Sequence, residues 1–169
     1  MIAIQNRILD KKQILQKTRR IAFEIYENNF EEKEIILAGI YDRGYFFAQM
    51  LKKELEQISG LRATLVRIDL EKSSSKQNEI TLDFPKENLI GKSIILVDDV
   101  LNTGRTLAYS LKPFLELEIK RLQTAVIVDR SHGLFPVKAD YTGYALSTTI
   151  KEHIDVILDN DEDFGVYLH

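Results

Sequence analysis

An α/β fold, with a mostly parallel twisted sheet flanked by helices, is predicted by three observations. Strand-length apolar runs alternate with helix-length amphipathic stretches along the chain. Two of the runs, Glu34–Ile40 and Ser93–Val97, are apolar almost throughout, the pattern of strands covered on both faces. Each is followed at once by a polar, glycine-bearing turn and then a helical period, which implies short right-handed strand–helix–strand crossovers.

Asp10 and Gln13 have capping-box spacing. Ile14, Leu15, Ile21, Ala22, Ile25 and Tyr26 then recur at helical intervals, predicting a helix over 11–28. Glu34–Ile40 is the first strand. After Asp42-Arg43-Gly44, the residues Phe46, Phe47, Met50, Leu51 and Leu55 predict a helix over 45–58, stopped by Gly60. Residues 63–70 and 79–83 read as strands. Between them the polar Lys72–Asn78 segment reads as a loop or ordinary linker. Ser93–Val97, a helix over 105–117 and a strand over 121–128 follow. Residues 141–146, 154–158 and 165–168 are short strand candidates for an appended hood.

With 169 residues, 44% hydrophobic and 29% charged, and no linker or repeat, residues 1–169 read as a single domain able to bury one core. No apolar run is long enough to span a bilayer and no export leader is visible, so a cytoplasmic location with no membrane partner is expected. The absence of cysteine excludes disulfides and thiolate metal sites, and three scattered histidines argue against zinc. His132 and His153 are read as structural or surface residues. A net charge of −3 gives no broad footprint for nucleic acid.

Chemistry concentrates where Ser93–Val97 ends. In an open parallel sheet, ligands collect beyond the carboxyl ends of strands, and Asp98 and Asp99 stand there. Two neighbouring carboxylates suit a vicinal diol or a hydrated Mg²⁺. The following turn has hydroxyls at Thr103 and Thr106, a glycine at 104 and amides at a helix start, which together suit a phosphate. An acid pair can also simply cap the next helix, but adjacent acids closing a buried strand need a reason for their mutual repulsion, and a cation with sugar hydroxyls supplies one. The spacing lacks the Gly-x-x-x-x-Gly-Lys and Gly-x-Gly-x-x-Gly loops of two common nucleotide sites. Tyr41-Asp42-Arg43-Gly44 offers amides and a guanidinium to a second anion at the same sheet edge.

Ile94–Thr106 resembles the phosphoribosyl diphosphate signature of type I phosphoribosyltransferases: four apolar residues, two acids, then Thr-Gly-x-Thr. With Ile36–Gly44, Ala125–Pro136, Asp140-Tyr141 and Gly143, most of the chain is similar in order and spacing to the bacterial pyrimidine-operon regulator/uracil phosphoribosyltransferase family. The resemblance implies the type I phosphoribosyltransferase fold and transfer of phosphoribose from 5-phosphoribosyl 1-diphosphate to a nucleobase. It assigns Asp98, Asp99 and Arg43 to catalysis, with Asp98 and Asp99 also holding Mg²⁺ through water. Asp98, Asp99, Val100, Leu101, Asn102, Thr103, Gly104, Arg105 and Thr106 would bind the ribose phosphate. Tyr41, Asp42, Arg43 and Gly44 would form the diphosphate loop, with a strained or cis peptide within Asp42–Gly44.

Uracil is favoured as the base, with Lys138 and Tyr141 as base-binding candidates; Tyr141 reads equally as core. Hypoxanthine-type enzymes place an aspartate where this chain has Asn102 and a lysine where it has Ala139, which disfavours a 6-oxopurine. Relatives are dimers or tetramers, implying a homo-oligomer. The regulator family also binds RNA. Lys11, Lys12, Lys17, Arg19 and Arg20 keep the first helix basic, but the family's Thr-Arg-Ile-Ala-His-Glu-Ile is Arg19–Ile25 here with two polar positions changed, so RNA is disfavoured.

Overall fold

The computed structural model describes residues 6–71 and 79–169; the Lys72–Asn78 segment lies outside them. In chain order the elements are β1 (Arg7–Asp10), α1 (Lys11–Asn29), β2 (Glu34–Ile40), α2 (Arg43–Ile58), β3 (Arg62–Glu71), β4 (Glu79–Leu82), a 3₁₀ turn (Lys86–Leu89), β5 (Ser93–Leu101), α3 (Arg105–Leu115), β6 (Arg121–Asp129), β7 (Tyr141–Ala145), β8 (Ile154–Ile157) and β9 (Gly165–Leu168). Six strands form the main sheet in the order β4-β3-β2-β5-β6-β7, and β1-β9-β8 form a separate three-stranded hood. Within the main sheet only the β3–β4 pair is antiparallel.

Period-two burial explains why β2 and β5 are apolar throughout. Ile35, Leu37, Ile95 and Val97 face one core with Ile21 and Ile25 of α1 and Phe47, Leu51 and Leu55 of α2. Ile36, Ala38, Ile94 and Leu96 face the opposite core with Leu107 and Phe114 of α3. The Asp10–Gln13 capping box starts α1. At the other end of that helix, buried Asn29 accepts a hydrogen bond from Ser93 Oγ at 2.8 Å and donates to the Ile25 carbonyl, tying α1 to the start of β5.

Two expectations need correction. The 141–146 strand is not part of the hood: β7 runs parallel to β6, from Ala125 opposite Tyr141 to Asp129 opposite Ala145, and completes the main sheet. The hood instead recruits β1, which is antiparallel to β9. Residues 98–101 continue β5 rather than leaving it, because β6 keeps pairing through Leu101 opposite Asp129.

Candidate active site

The strand order creates the site. From β2 the chain crosses to β3 on one side, whereas from β5 it crosses to β6 on the other, so the β2–β5 boundary is where the winding reverses and a crevice opens. Pairing of β5 with β2 ends at Val97 opposite Gly39, four residues before β5 itself ends. Asp98 and Asp99 therefore lie past the end of the β2 pairing, with β6 on one flank and the start of α2 against the other. Gly44 allows α2 to close the floor: a Cβ there would sit 2.6 Å from the Val97 carbonyl oxygen and 2.9 Å from Asp98 Cα.

A cleft of about 410 Å³ lies at this point, lined by Tyr41 and Arg43 from the first loop and by every residue from Asp98 to Leu107. Asp42 and Gly44 are not in its wall; Gly44 is buried beneath it. The cis peptide bond is Tyr41–Asp42, one residue before the expected Asp42–Gly44 stretch.

Each acid uses one oxygen on the backbone. Asp98 Oδ1 accepts from Asp99 N at 2.8 Å and Asp99 Oδ1 from Val100 N at 2.9 Å. The second oxygen of each accepts from no N–H or hydroxyl among the described residues, although the two carboxyls stand within hydrogen-bonding reach of each other. Burial, then the neighbouring Asp99 charge, pushes the Asp98 carboxyl well above the ordinary carboxylate range. Gly104, with φ of 86°, turns the chain from β5 into α3, and this left-handed conformation favours glycine. The turn is braced from behind by Leu134 N and Phe135 N, both donating to the Thr103 carbonyl. The residues opening α3 line the same cleft; Arg105 N donates to Thr103 Oγ1 at 3.3 Å, and the first amides of a helix have no partners within it.

The phosphoribosyl transferase domain family model matches residues 5–161. The chain belongs to that family. Two "Bifunctional protein PyrR" relatives lie close by: that of Clostridioides difficile is 38% identical, covering 89% of each chain, and that of Macrococcus caseolyticus is 36% identical, covering 92% of this chain and 93% of its own. Among solved structures, a hypoxanthine-guanine phosphoribosyltransferase from Bacillus anthracis superposes with a TM-score of 0.80 at 19% identity, covering 98% of both chains. A hypoxanthine phosphoribosyltransferase from Trypanosoma cruzi gives 0.79 at 16%, covering 96% of this chain and 95% of its own. These two likenesses show the fold. The chain is thus a phosphoribosyltransferase with the family's mostly parallel sheet and flanking helices.

Other residues stand differently from their sequence reading. Tyr141 is 2% exposed, packs in the core, donates its hydroxyl to Gln123 at 2.8 Å and does not line the cleft. Lys138 is exposed and its carbonyl accepts from Thr124; it does not line the cleft either. His132 contacts the Thr148 carbonyl, and His153 pairs through its backbone with His169.

Sequence reasoning missed several residues of this phosphoribosyltransferase, among them Ile40 at the end of β2 and Leu107 in α3, both in the cleft wall. Leu70 and Ile154 line the cleft from β3 and the hood. Asp155 of β8 stands 3.9 Å from Arg43 and 3.0 Å from His169. Arg130, immediately after β6, is buried and bonds both Asn102 and the 148–152 segment. Arg130 had two sequence signals, its place at a strand's carboxyl end and its position within the Ala125–Pro136 stretch; the hood residues had none.

Proposed function

We propose that this phosphoribosyltransferase moves the phosphoribosyl group of 5-phosphoribosyl 1-diphosphate onto a nucleobase, with uracil as the favoured base. The observation that carries the reading is the adjacent Asp98–Asp99 pair, each acid with a second oxygen not used by the backbone, set in one cleft beside the start of α3. The pair matches the two hydroxyls of a ribose, and the Thr103–Thr106 turn matches its 5′-phosphate, which leaves Asn102 beside the sugar for the base. Tyr41-Asp42-Arg43-Gly44 takes the diphosphate, with Arg43 as the charged group.

The donor set also fits Mg²⁺. Among the described residues no cluster of three or more acidic, histidine or cysteine side chains exists, so there is no dedicated protein cage. Two carboxylates that share the ion with substrate oxygens and water are the usual Mg²⁺ arrangement. When bound, the ion would neutralise charge on the diphosphate.

In the reaction, a base nitrogen bonds to C1 as the C1–oxygen bond breaks. Diphosphate leaves with the bonding pair, and the N–H proton of the base passes to solvent water. Positive charge grows on the ribose, and Asp98 and Asp99 orient the sugar while opposing that charge. Arg43 receives the leaving group. No covalent enzyme intermediate is needed.

The uracil assignment draws on the regulator-family resemblance and on the relatives named PyrR. RNA binding through α1 is the weaker reading, because its basic residues are largely engaged within the chain. Arg20 donates to the Thr142 and Gly143 carbonyls, Lys11 pairs with Asp161, Lys17 lies over the Tyr144 ring, and Arg19 approaches Glu54. Diphosphate release with uracil, hypoxanthine, guanine, xanthine and orotate, each with 5-phosphoribosyl 1-diphosphate and Mg²⁺, tests the proposal. Uracil-dependent release is expected; silence with every base would refute transfer.

A further inference from the structure

Arg130 is a buried cation without an acidic partner: it is 7% exposed and makes no ion pair with any described carboxylate. Its charge is met entirely by neutral acceptors. Nε donates to Thr148 Oγ1 at 2.6 Å, Nη2 to the Thr149 and Glu152 carbonyls at 3.0 and 2.6 Å, and Nη1 to Asn102 Oδ1 at 2.7 Å. Leaving such a group unpaired would be expensive, so these four bonds hold their acceptors firmly.

The Asn102 bond has a directional consequence. A guanidinium carries donors only, so the amide atom facing Nη1 must be the oxygen, whichever way the amide is first drawn. Asn102 is itself exposed and lines the cleft, and its Nδ2 has no acceptor among the described residues. With the oxygen turned inward to Arg130, the N–H pair is the end left for a ligand.

We propose that Arg130 is a positioning residue that fixes residue 102 as a hydrogen-bond donor toward the nucleobase, and so selects bases presenting a carbonyl oxygen rather than an amino group at that edge. The inference rests on the transfer reading above and deepens it. The 148–152 segment, held by the same guanidinium, leads directly into β8, whose Ile154 is part of the cleft wall. One buried charge thereby sets both the polarity of residue 102 and the placement of the hood beside it. A free asparagine could rotate its amide to suit either kind of base; this one cannot without breaking a charge-assisted bond.

The test isolates polarity from architecture. Asn102→Asp keeps an oxygen for Nη1 and leaves the bonds to Thr148, Thr149 and Glu152 in place, but turns the cleft-facing atom from donor to acceptor. Binding of uridine against cytidine 5′-monophosphate, and of inosine against adenosine 5′-monophosphate, is measured by calorimetry for wild type, Asn102→Asp and Arg130→Met. In the wild type the oxo member of a pair binds more tightly. Asn102→Asp lowers that oxo-to-amino ratio about tenfold or more, the scale of one mismatched buried polar contact. Arg130→Met, which frees the amide to rotate, moves the ratio toward one. Ratios within a pair cancel a uniform loosening of the cleft, and Asn102→Asp, which keeps every bond from Arg130 to the hood, reads the polarity of residue 102 apart from the bracing of the hood. Binding of nucleotides with unchanged ratios overturns this inference and spares the transfer reading; binding of no nucleotide, with no base consumed, overturns both.

Discussion

Replacing Gly44 by alanine would place a methyl group 2.6 Å from the Val97 carbonyl oxygen, 2.9 Å from Asp98 Cα and 3.1 Å from Asp98 Oδ1. Two of those neighbours are backbone of a central strand and cannot swing aside. The start of α2 must retreat by roughly 0.5–1 Å to restore ordinary contact distances. Overpacking of this kind costs about 1–3 kcal/mol, and in a chain of this size about 2 kcal/mol lowers Tm by roughly 4–8 °C. The same retreat carries Arg43 away from the acid pair, and a misplacement near 1 Å can reduce turnover about a hundredfold. Thermal melting and base-dependent diphosphate release measure the two effects. Gly60→Ala is the matched control: its Cβ would meet nothing within 4 Å, and its backbone needs no left-handed conformation. Gly44→Ala melting and turning over like wild type would refute the claim that α2 and β5 share this close floor.

Asp98→Asn should stabilise the ligand-free protein at neutral pH while abolishing transfer. Burial and the Asp99 charge raise the Asp98 pKa, so the folded state holds that proton more tightly than the unfolded chain does. The contribution is complete below the ordinary value of 3.8 and is lost as pH rises toward the raised value. The Tm of the variant should therefore exceed that of wild type above that range and converge with it in acid; a variant that melts lower at neutral pH would contradict the assignment. Asp155→Ala releases Arg43 from a half-exposed pair at 3.9 Å. Stability should change by less than about 1 kcal/mol, and 5-phosphoribosyl 1-diphosphate should bind as well or more tightly in a titration. Weaker binding would mean that Asp155 holds Arg43 in its working position. Asn29→Ala strands the buried Ser93 hydroxyl and should destabilise the fold by about 1–3 kcal/mol in urea titration, with turnover per folded molecule preserved.

Elements defined by local signals were legible from the sequence alone. The capping box at Asp10 and Gln13 locates the start of α1, and the apolar runs of β2 and β5 declare strands covered on both faces, because periodicity and caps act over a few neighbouring residues. The acid pair and the Thr-Gly turn were visible for the same reason: they are contiguous, so their spacing is their geometry. Tertiary structure alone decided what depends on distant pairings. It moved β7 from the hood to the main sheet, since a five-residue strand does not say which edge it joins. It brought the Tyr41–Gly44 loop to the acid pair by placing β2 next to β5. It also turned Arg130 inward onto Asn102, 28 residues away, because burial of a charge follows from which acceptors the finished fold collects around it.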